Sequence, residues 1–260
     1  MQIENIRIKP VWPKSKEMVW IETFEHLEEQ RGSKRFSIRL PVWSYAASIL
    51  IPILLVCHFY TATEQTARGE HAVVQLPDRS TVTLNAESTI SYKPFEWFIS
   101  RKVNLEGEAY FEVKHGSRFS VISGSKRVNV LGTTFNTYAR PEAYRVTCLT
   151  GQVEVHAGNE TIVLNPTMQA TYLDRKFVVT NNTQTSVAGW MQGKFVFDKT
   201  PIQEVIAEVE RQYNIDVAPD YDPNHLYTGN FSKTENSPEE ILEIIGKAFG
   251  IKFRFGTKNN

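Results

Sequence analysis

With 260 residues the chain is long enough for two modest domains and some further segments. Its 29 basic side chains balance 29 acidic ones, which removes any global electrostatic drive toward nucleic acid or anionic lipid. The two cysteines and six histidines show no zinc-type spacing, so neither a metal nor a cofactor is expected.

Residues 15–32 read as one helix, with Ser15 as its cap and Gly32 as its stop. Trp20, Phe24 and Leu27 fall on one face with Met18 and Ile21 beside them, while Glu17, Glu22, Glu25, Glu28 and Glu29 fall mostly elsewhere. One short helix cannot bury its own apolar face. Two uses fit the pattern equally: packing on a lipid surface, or a docking stripe for a cytoplasmic partner.

Residues 41–60, from Pro41 to Tyr60, contain no Lys, Arg, Asp or Glu. A helix of that length covers roughly 30 Å, the thickness of a bilayer's hydrocarbon core. Trp43 and Tyr45 lie near one end and Phe59 and Tyr60 near the other, where amphipathic rings favour the interface. Pro52 would kink such a helix without forbidding a span. A signal peptide would start near residue 1, a core helix usually carries more polar residues, and a lipoprotein site at Cys57 would need a small residue where Val56 stands. The expectation is one transmembrane helix. Arg31, Lys34, Arg35 and Arg39 precede it with no acid among them, which places residues 1–40 in the cytoplasm and the rest across the membrane. Cys57 would then lie in the membrane, far from Cys148, so no disulfide is expected.

From Glu70 to Thr180 the chain alternates with period two, and turn residues recur every eight to twelve positions. Ser80-Thr81-Val82-Thr83-Leu84-Asn85 alternates cleanly. Lys102-Val103-Asn104-Leu105 leads to Gly107, read as a turn, and Ala109-Tyr110-Phe111-Glu112-Val113 follows. About ten short strands without a convincing helix predict a two-sheet sandwich or a solenoid-like roll. The aromatic share of 12% suits strands packed on one another.

The C-terminal part repeats itself. Residues 194–217 read strand, helix, strand, with Thr200-Pro201 opening the helix; residues 227–255 read the same way, with Ser237-Pro238 opening it and Ile251-Lys252-Phe253 as the closing strand. Val205, Val209, Tyr213 and Ile215 have counterparts 36 residues on, at Ile241, Ile245, Phe249 and Ile251. The expected fold is therefore membrane-anchored, with one transmembrane helix, a mainly β domain at 69–180, and a small α+β domain of two βαβ-like halves at 188–257.

No catalytic motif of the esterase, zinc-protease or phosphate-loop kind occurs. Glu106, Glu108 and Glu112 look like a carboxylate cluster, but a turn at Gly107 would break it. Gly132-Thr133 can be read two ways. An ordinary strand-end turn is the commoner reading. A strained turn with a nearby base would allow an N-to-O acyl shift and self-cleavage.

Residues 69–180 resemble the periplasmic domain of the FecR family of transmembrane sigma-factor regulators. The resemblance rests on Leu76-Pro77-Asp78-Arg79-Ser80, Val82 to Asn85, Arg101 to Val113, Val130-Leu131-Gly132-Thr133-Thr134-Phe135-Asn136 and Leu149 to Val155, in that order. Trp190, Gly193, Arg211-Gln212-Tyr213-Asn214-Ile215 and Gly229-Asn230-Phe231 are similar to the C-terminal domain of family members tied to glycan-uptake loci. That domain is in turn similar to the short signalling module of secretins and TonB-dependent receptors. The sequence departs from the pattern at Arg79, where a Gly is usual, and at Asn165-Pro166-Thr167-Met168, where a Pro-Gly turn is usual.

The resemblance implies an inner-membrane anti-sigma factor rather than an enzyme. Its cytoplasmic segment would hold an extracytoplasmic-function sigma factor, with Trp20, Phe24 and Leu27 facing it. Its periplasmic part would sense the signalling domain of a ligand-loaded TonB-dependent receptor. It implies no nucleic acid or metal partner, and it makes Gly132 and Thr133 the candidate self-cleavage step. Residues 1–40 are about half of what such relatives carry, a shortened sigma-binding region. The alternative is a membrane-tethered periplasmic binding or envelope-scaffold module without a sigma partner.

Overall fold

A computed structural model of the chain describes residues 13–30, 42–181, 189–218, 220–223 and 225–257. The chain divides into two compact units, 1–51 and 52–260. In the first, helix α1 covers Lys16–Gln30, opened by the Ser15 hydroxyl, which accepts the Met18 N–H at 3.3 Å. Gly32, its expected stop, lies outside the described residues.

Helix α2, Val42–Phe59, follows the expected apolar run and has Pro52 inside it. Its 18 residues cover only about 27 Å. Among the described residues no helix is long and apolar enough to cross a membrane, so the expected span is not shown.

The β region has thirteen strands: β1 Ala62–Thr66, β2 Ala72–Gln75, β3 Thr81–Leu84, β4 Ser88–Tyr92, β5 Arg101–Glu112, β6 Phe119–Ser123, β7 Lys126–Val130, β8 Thr134–Ala139, β9 Tyr144–Thr150, β10 Val153–Ala157, β11 Glu160–Leu164, β12 Met168–Leu173 and β13 Lys176–Asn181. Two sheets share one long strand. The first half of β5 pairs with β4 and β6, in the sheet ordered β1-β4-β5-β6-β7-β10-β11. Its second half pairs with β3 and β8, in the sheet ordered β2-β3-β5-β8-β9-β12-β13. The two sheets enclose one core, in which Val103, Leu105 and Val121 of the first meet Phe111, Phe135 and Val146 of the second. The mainly β part of the expectation is met, by thirteen connected strands in a nearly closed sheet.

Gly107 is not a turn. It lies inside β5 at the point where the strand passes from one sheet to the other, with φ at +96°. A Cβ there would sit 2.5 Å from the Ser88 hydroxyl and 2.8 Å from its Cα, so both conformation and space require glycine. The two departures from the family pattern are also turn positions with left-handed backbones, Arg79 at φ +65° and Thr167 at φ +74°. Next to Arg79, Asp78 accepts from Ser80 and from the Arg101 Nε at 2.8 Å, which fixes the turn to the start of β5.

The C-terminal domain is built from β14 Lys194–Pro201, α3 Ile202–Tyr213, β15 Ile215–Val217, β16 Leu226–Ser232, α4 Pro238–Phe249 and β17 Phe255–Thr257. The repeat is present, but the halves interlock: β14 pairs with β16 and β15 with β17, so each strand finds its partner in the other half. Val205, Val209, Ile241 and Ile245 bury the two helix faces in one core. Ser237 opens α4 with a full capping box, as its sequence predicts. Thr200-Pro201 does not open α3 in that way. Both residues are still paired in β14, with Tyr227 and Leu226, and Pro201 takes the cap position without a side-chain bond. The closing strand also falls later than expected, at Phe255–Thr257 rather than 251–253, because the Ile251 N–H turns back to the Gly246 carbonyl to finish α4.

Candidate functional site

On α1, Trp20 and Phe24 lie one turn apart and stack, with centroids 4.2 Å apart and rings 11° from parallel. They are 63% and 47% exposed, and Met18 and Ile21 beside them are exposed as well. Leu27 belongs to the same helix, but its side chain lies outside what is described. Of the stripe expected from spacing, the structure places Trp20 and Phe24 together on one exposed face.

Gly132 and Thr133 join β7 to β8. The Thr133 carbonyl accepts the Val113 N–H at 2.9 Å and the Leu131 carbonyl accepts the Gly116 N–H at 2.8 Å. Gly132 is pressed against the backbone of the 113–116 turn; a Cβ on it would lie 2.6 Å from the His115 Cα. Thr133 is buried, and its hydroxyl has no hydrogen-bond partner among the described residues. His115, Arg118, Gly151 and Glu154 line the open depression beside this step.

A third site was not foreseen. Glu106 and Glu112 are exposed, but Glu108 lies on the outer face of β5, buried beneath α3. The Asn85 and Asn136 amides each donate to it at 2.8 Å. From α3, Glu208 accepts from Arg211 Nε and Nη2 at 3.1 and 2.9 Å and from Gln212 Nε2 at 2.9 Å. Gln212 Nε2 also donates to Asn85 Oδ1 at 2.7 Å, while Arg211 donates to Glu142 at 2.9 Å and to the Tyr138 hydroxyl at 3.1 Å. Arg145 and Glu204 form a further ion pair across the same boundary.

The two carboxyls are driven apart by their surroundings. Burial, then the charge of Glu208, pushes Glu108 above the usual carboxylate range. Burial acts the same way on Glu208, but the charges of Arg211 and Arg140 and the bonds from Gln212 and Arg211 outweigh it and hold Glu208 below that range. Every carboxyl oxygen of the pair is met by a donor. The cluster ties α3 to the β domain as an interdomain latch. The sequence hid it because Glu204, Glu208, Arg211 and Gln212 look like the solvated side of α3. No group of three or more metal-ligating side chains occurs among the described residues.

A second clasp lies nearby. The Gly69 N–H donates to the Arg211 carbonyl at 2.7 Å, and Arg68 Nη1 reaches Asp216 at 2.7 Å and the Ile215 carbonyl at 3.2 Å. Lys233 Nζ donates to the Gly69 carbonyl at 3.2 Å.

Comparison with known proteins agrees with this two-domain layout. Residues 62–154 match the family described as FecR protein, and residues 194–260 match the one described as FecR, C-terminal. Two crystal structures of proteins from Parabacteroides distasonis, both provisionally assigned as anti-sigma factors, share the fold. One is 31% identical, over 75% of this chain and 94% of its own, with a TM-score of 0.68. The other is 29% identical, over 76% of this chain and 100% of its own, with the same TM-score. No curated protein matches the chain. The identity and coverage of these relatives, together with the two matched domains in order, show that this chain belongs to the FecR family.

Proposed function

We propose that the chain is a membrane-anchored anti-sigma factor. Helix α1 holds an extracytoplasmic-function sigma factor in the cytoplasm. The β domain and the C-terminal domain receive the signalling domain of a TonB-dependent receptor in the periplasm. The observation that carries this reading is the likeness of the two-domain body to relatives assigned as anti-sigma factors. The stacked, exposed Trp20 and Phe24 supply a surface that an apolar groove on a partner would cover. The test is co-purification of the full chain with the sigma factor. Replacing Trp20 and Phe24 by Ala should abolish capture and free target transcription. If wild type and variant retain sigma equally, or neither does, α1 is not the holding element and the scaffold alternative gains.

The anchor in this reading is α2, set in the inner membrane with residues 1–40 in the cytoplasm. Its support is a helix of 18 residues without Asp, Glu, Lys or Arg, whose Ile49, Leu50, Ile51, Ile53, Leu54, Leu55 and Val56 are all exposed.

A second activity is favoured by the Thr133 hydroxyl, which is buried, without a hydrogen-bond partner among the described residues, and carried by the residue that follows a crowded Gly132. We infer that the Thr133 hydroxyl can attack the Gly132 carbonyl, its proton passing to the amide nitrogen as the C–N bond breaks, and that water then hydrolyses the resulting ester to leave a Gly132 carboxylate and a free Thr133 amine and hydroxyl. Wild-type protein should then separate into two fragments on a denaturing gel while Thr133→Ala stays whole; identical bands would exclude cleavage here.

A further inference from the structure

The connection between β4 and β5, residues 93–100, has an unusual composition for a surface loop: Lys-Pro-Phe-Glu-Trp-Phe-Ile-Ser. Pro94–Glu96 form a single 3-10 turn, and the Ile99 and Ser100 N–H groups both return to the Glu96 carbonyl at 2.9 Å. Trp97 points inward and is buried against Tyr92 and Phe119, with centroids 5.6 and 5.9 Å away. With Trp97 as the anchor, its neighbours are driven outward. Phe98 is 98% exposed and Ile99 is 90% exposed. An apolar tip this bare, on a turn closed by its own backbone bonds, is an interaction surface rather than a loop awaiting order.

Its place in the fold says what covers it. Strand β1 follows α2 directly, and its first residue, Ala62, pairs with Tyr92, the last residue of β4. Adjacent strands run about 4.8 Å apart, so the end of α2 and the start of the loop emerge side by side. Side chains join them: His58 Nδ1 lies 2.8 Å from Glu96, and the Tyr60 ring meets Phe95 edge-on at 5.7 Å. Lys102 is exposed at the foot of the loop, where an acidic lipid headgroup would be attracted to it.

We propose that this loop is a second membrane contact, with Phe98 and Ile99 set in the interfacial layer of the bilayer that α2 enters. The inference rests on the reading of α2 as the anchor. It turns a domain swinging on a tether into one held against the membrane at two points. The partner is a lipid surface, because the tip is apolar, preformed, flanked by lysine and continuous with the end of the apolar helix.

The test uses the full chain in vesicles of phosphatidylethanolamine and phosphatidylglycerol. Single cysteines at Phe98→Cys, Ile99→Cys, Val73→Cys and Leu54→Cys, each with Cys57→Ser, carry an environment-sensitive fluorophore; the remaining Cys148 is fully buried. Labels at 98 and 99 should shift to the blue, lose intensity to spin-labelled lipid and resist aqueous iodide. The label at the exposed Val73 should behave in the opposite way. A label at 98 that iodide quenches as fully as the one at 73 overturns the proposal. One shielded from iodide and lipid alike overturns it too, in favour of a protein partner or a second copy. The label at Leu54 reports separately on the anchor: lipid quenching there with iodide quenching at 98 leaves the anchor standing and removes the loop contact.

Discussion

Arg211 is the residue whose loss should most clearly separate the two domains. It is 4% exposed, as buried as the Glu208 it neutralises, so water screens neither charge. Arg211→Met keeps most of the side-chain volume and removes two charge-assisted bonds to Glu208, one to Glu142 and one to Tyr138. Glu208 then keeps one hydrogen bond, from Gln212, and the charge of Arg140 without a direct bond to it. Stranding a buried charge in this way costs about 3–5 kcal/mol. The assay is urea unfolding of residues 62–257, which contain both hydrophobic cores and two tryptophans, Trp97 in the first core and Trp190 in the second. The parent should unfold with both tryptophans moving together. In Arg211→Met the Trp190 signal should change at lower urea than the Trp97 signal. Adding Glu208→Met should restore most of the loss, because the stranded charge goes with it. A loss under about 1 kcal/mol with coincident transitions would refute the latch.

Three other outcomes follow from single positions. The raised proton affinity of Glu108 gives a contribution fully present below the carboxyl's unfolded value and lost as pH rises through its folded one, whereas the depressed Glu208 contributes above its unfolded value and loses it as pH falls. Glu108→Gln should therefore raise the urea midpoint at pH 7 and erase the rising-pH loss; the Asn136 amide, whose Oδ1 has no partner, can flip to accept from the new amide. Thr167→Gly should stabilise by about 1 kcal/mol, the left-handed penalty of a β-branched residue less glycine's chain entropy, read as a melting shift of about 2–4 °C; Arg79→Gly should act in the same direction. Gly107→Ala should destabilise by about 3 kcal/mol or more, from strain at positive φ and from overpacking on Ser88, visible in thermal unfolding.

The mainly β character was legible because the strands are half-buried and alternate, as in Thr81–Leu84. What the pattern could not show was that residues 101–112 form one strand. Glycine inside an alternating run signals a turn and a sheet switch equally, and only the closeness of Ser88 decides between them. The C-terminal repeat was legible from its 36-residue spacing, but the exchange of strands between halves depends on tertiary pairing that spacing does not encode. The stripe on α1 was legible from the spacing of Trp20 and Phe24, which the structure places one turn apart and stacked. The latch could not, because a polar helix face destined for another domain looks the same as one destined for water.

The clasp at Arg68 and Gly69 suggests how the domains act on the membrane segment. Residues 60–69 are the whole covalent path from α2 to the C-terminal domain's grip, and half of that path is β1. A displacement of α3 would pull on Gly69 through its bond to the Arg211 carbonyl, at the same time as it pulled on Asn85, Tyr138 and Glu142 through the latch. Arg68 steadies this point through Glu87 and Asp216, both about half exposed. Screening limits such surface pairs to about 1 kcal/mol, which corresponds to up to about fivefold faster amide exchange. Arg68→Ala should therefore speed deuterium uptake at Gly69 by that much, with β7 and β10 on the far part of the sheet unchanged. Equal uptake at Gly69 in parent and variant would mean that the Arg211 carbonyl holds the strand unaided. Uptake raised across all strands would mean that Arg68 serves the sandwich as a whole rather than this link.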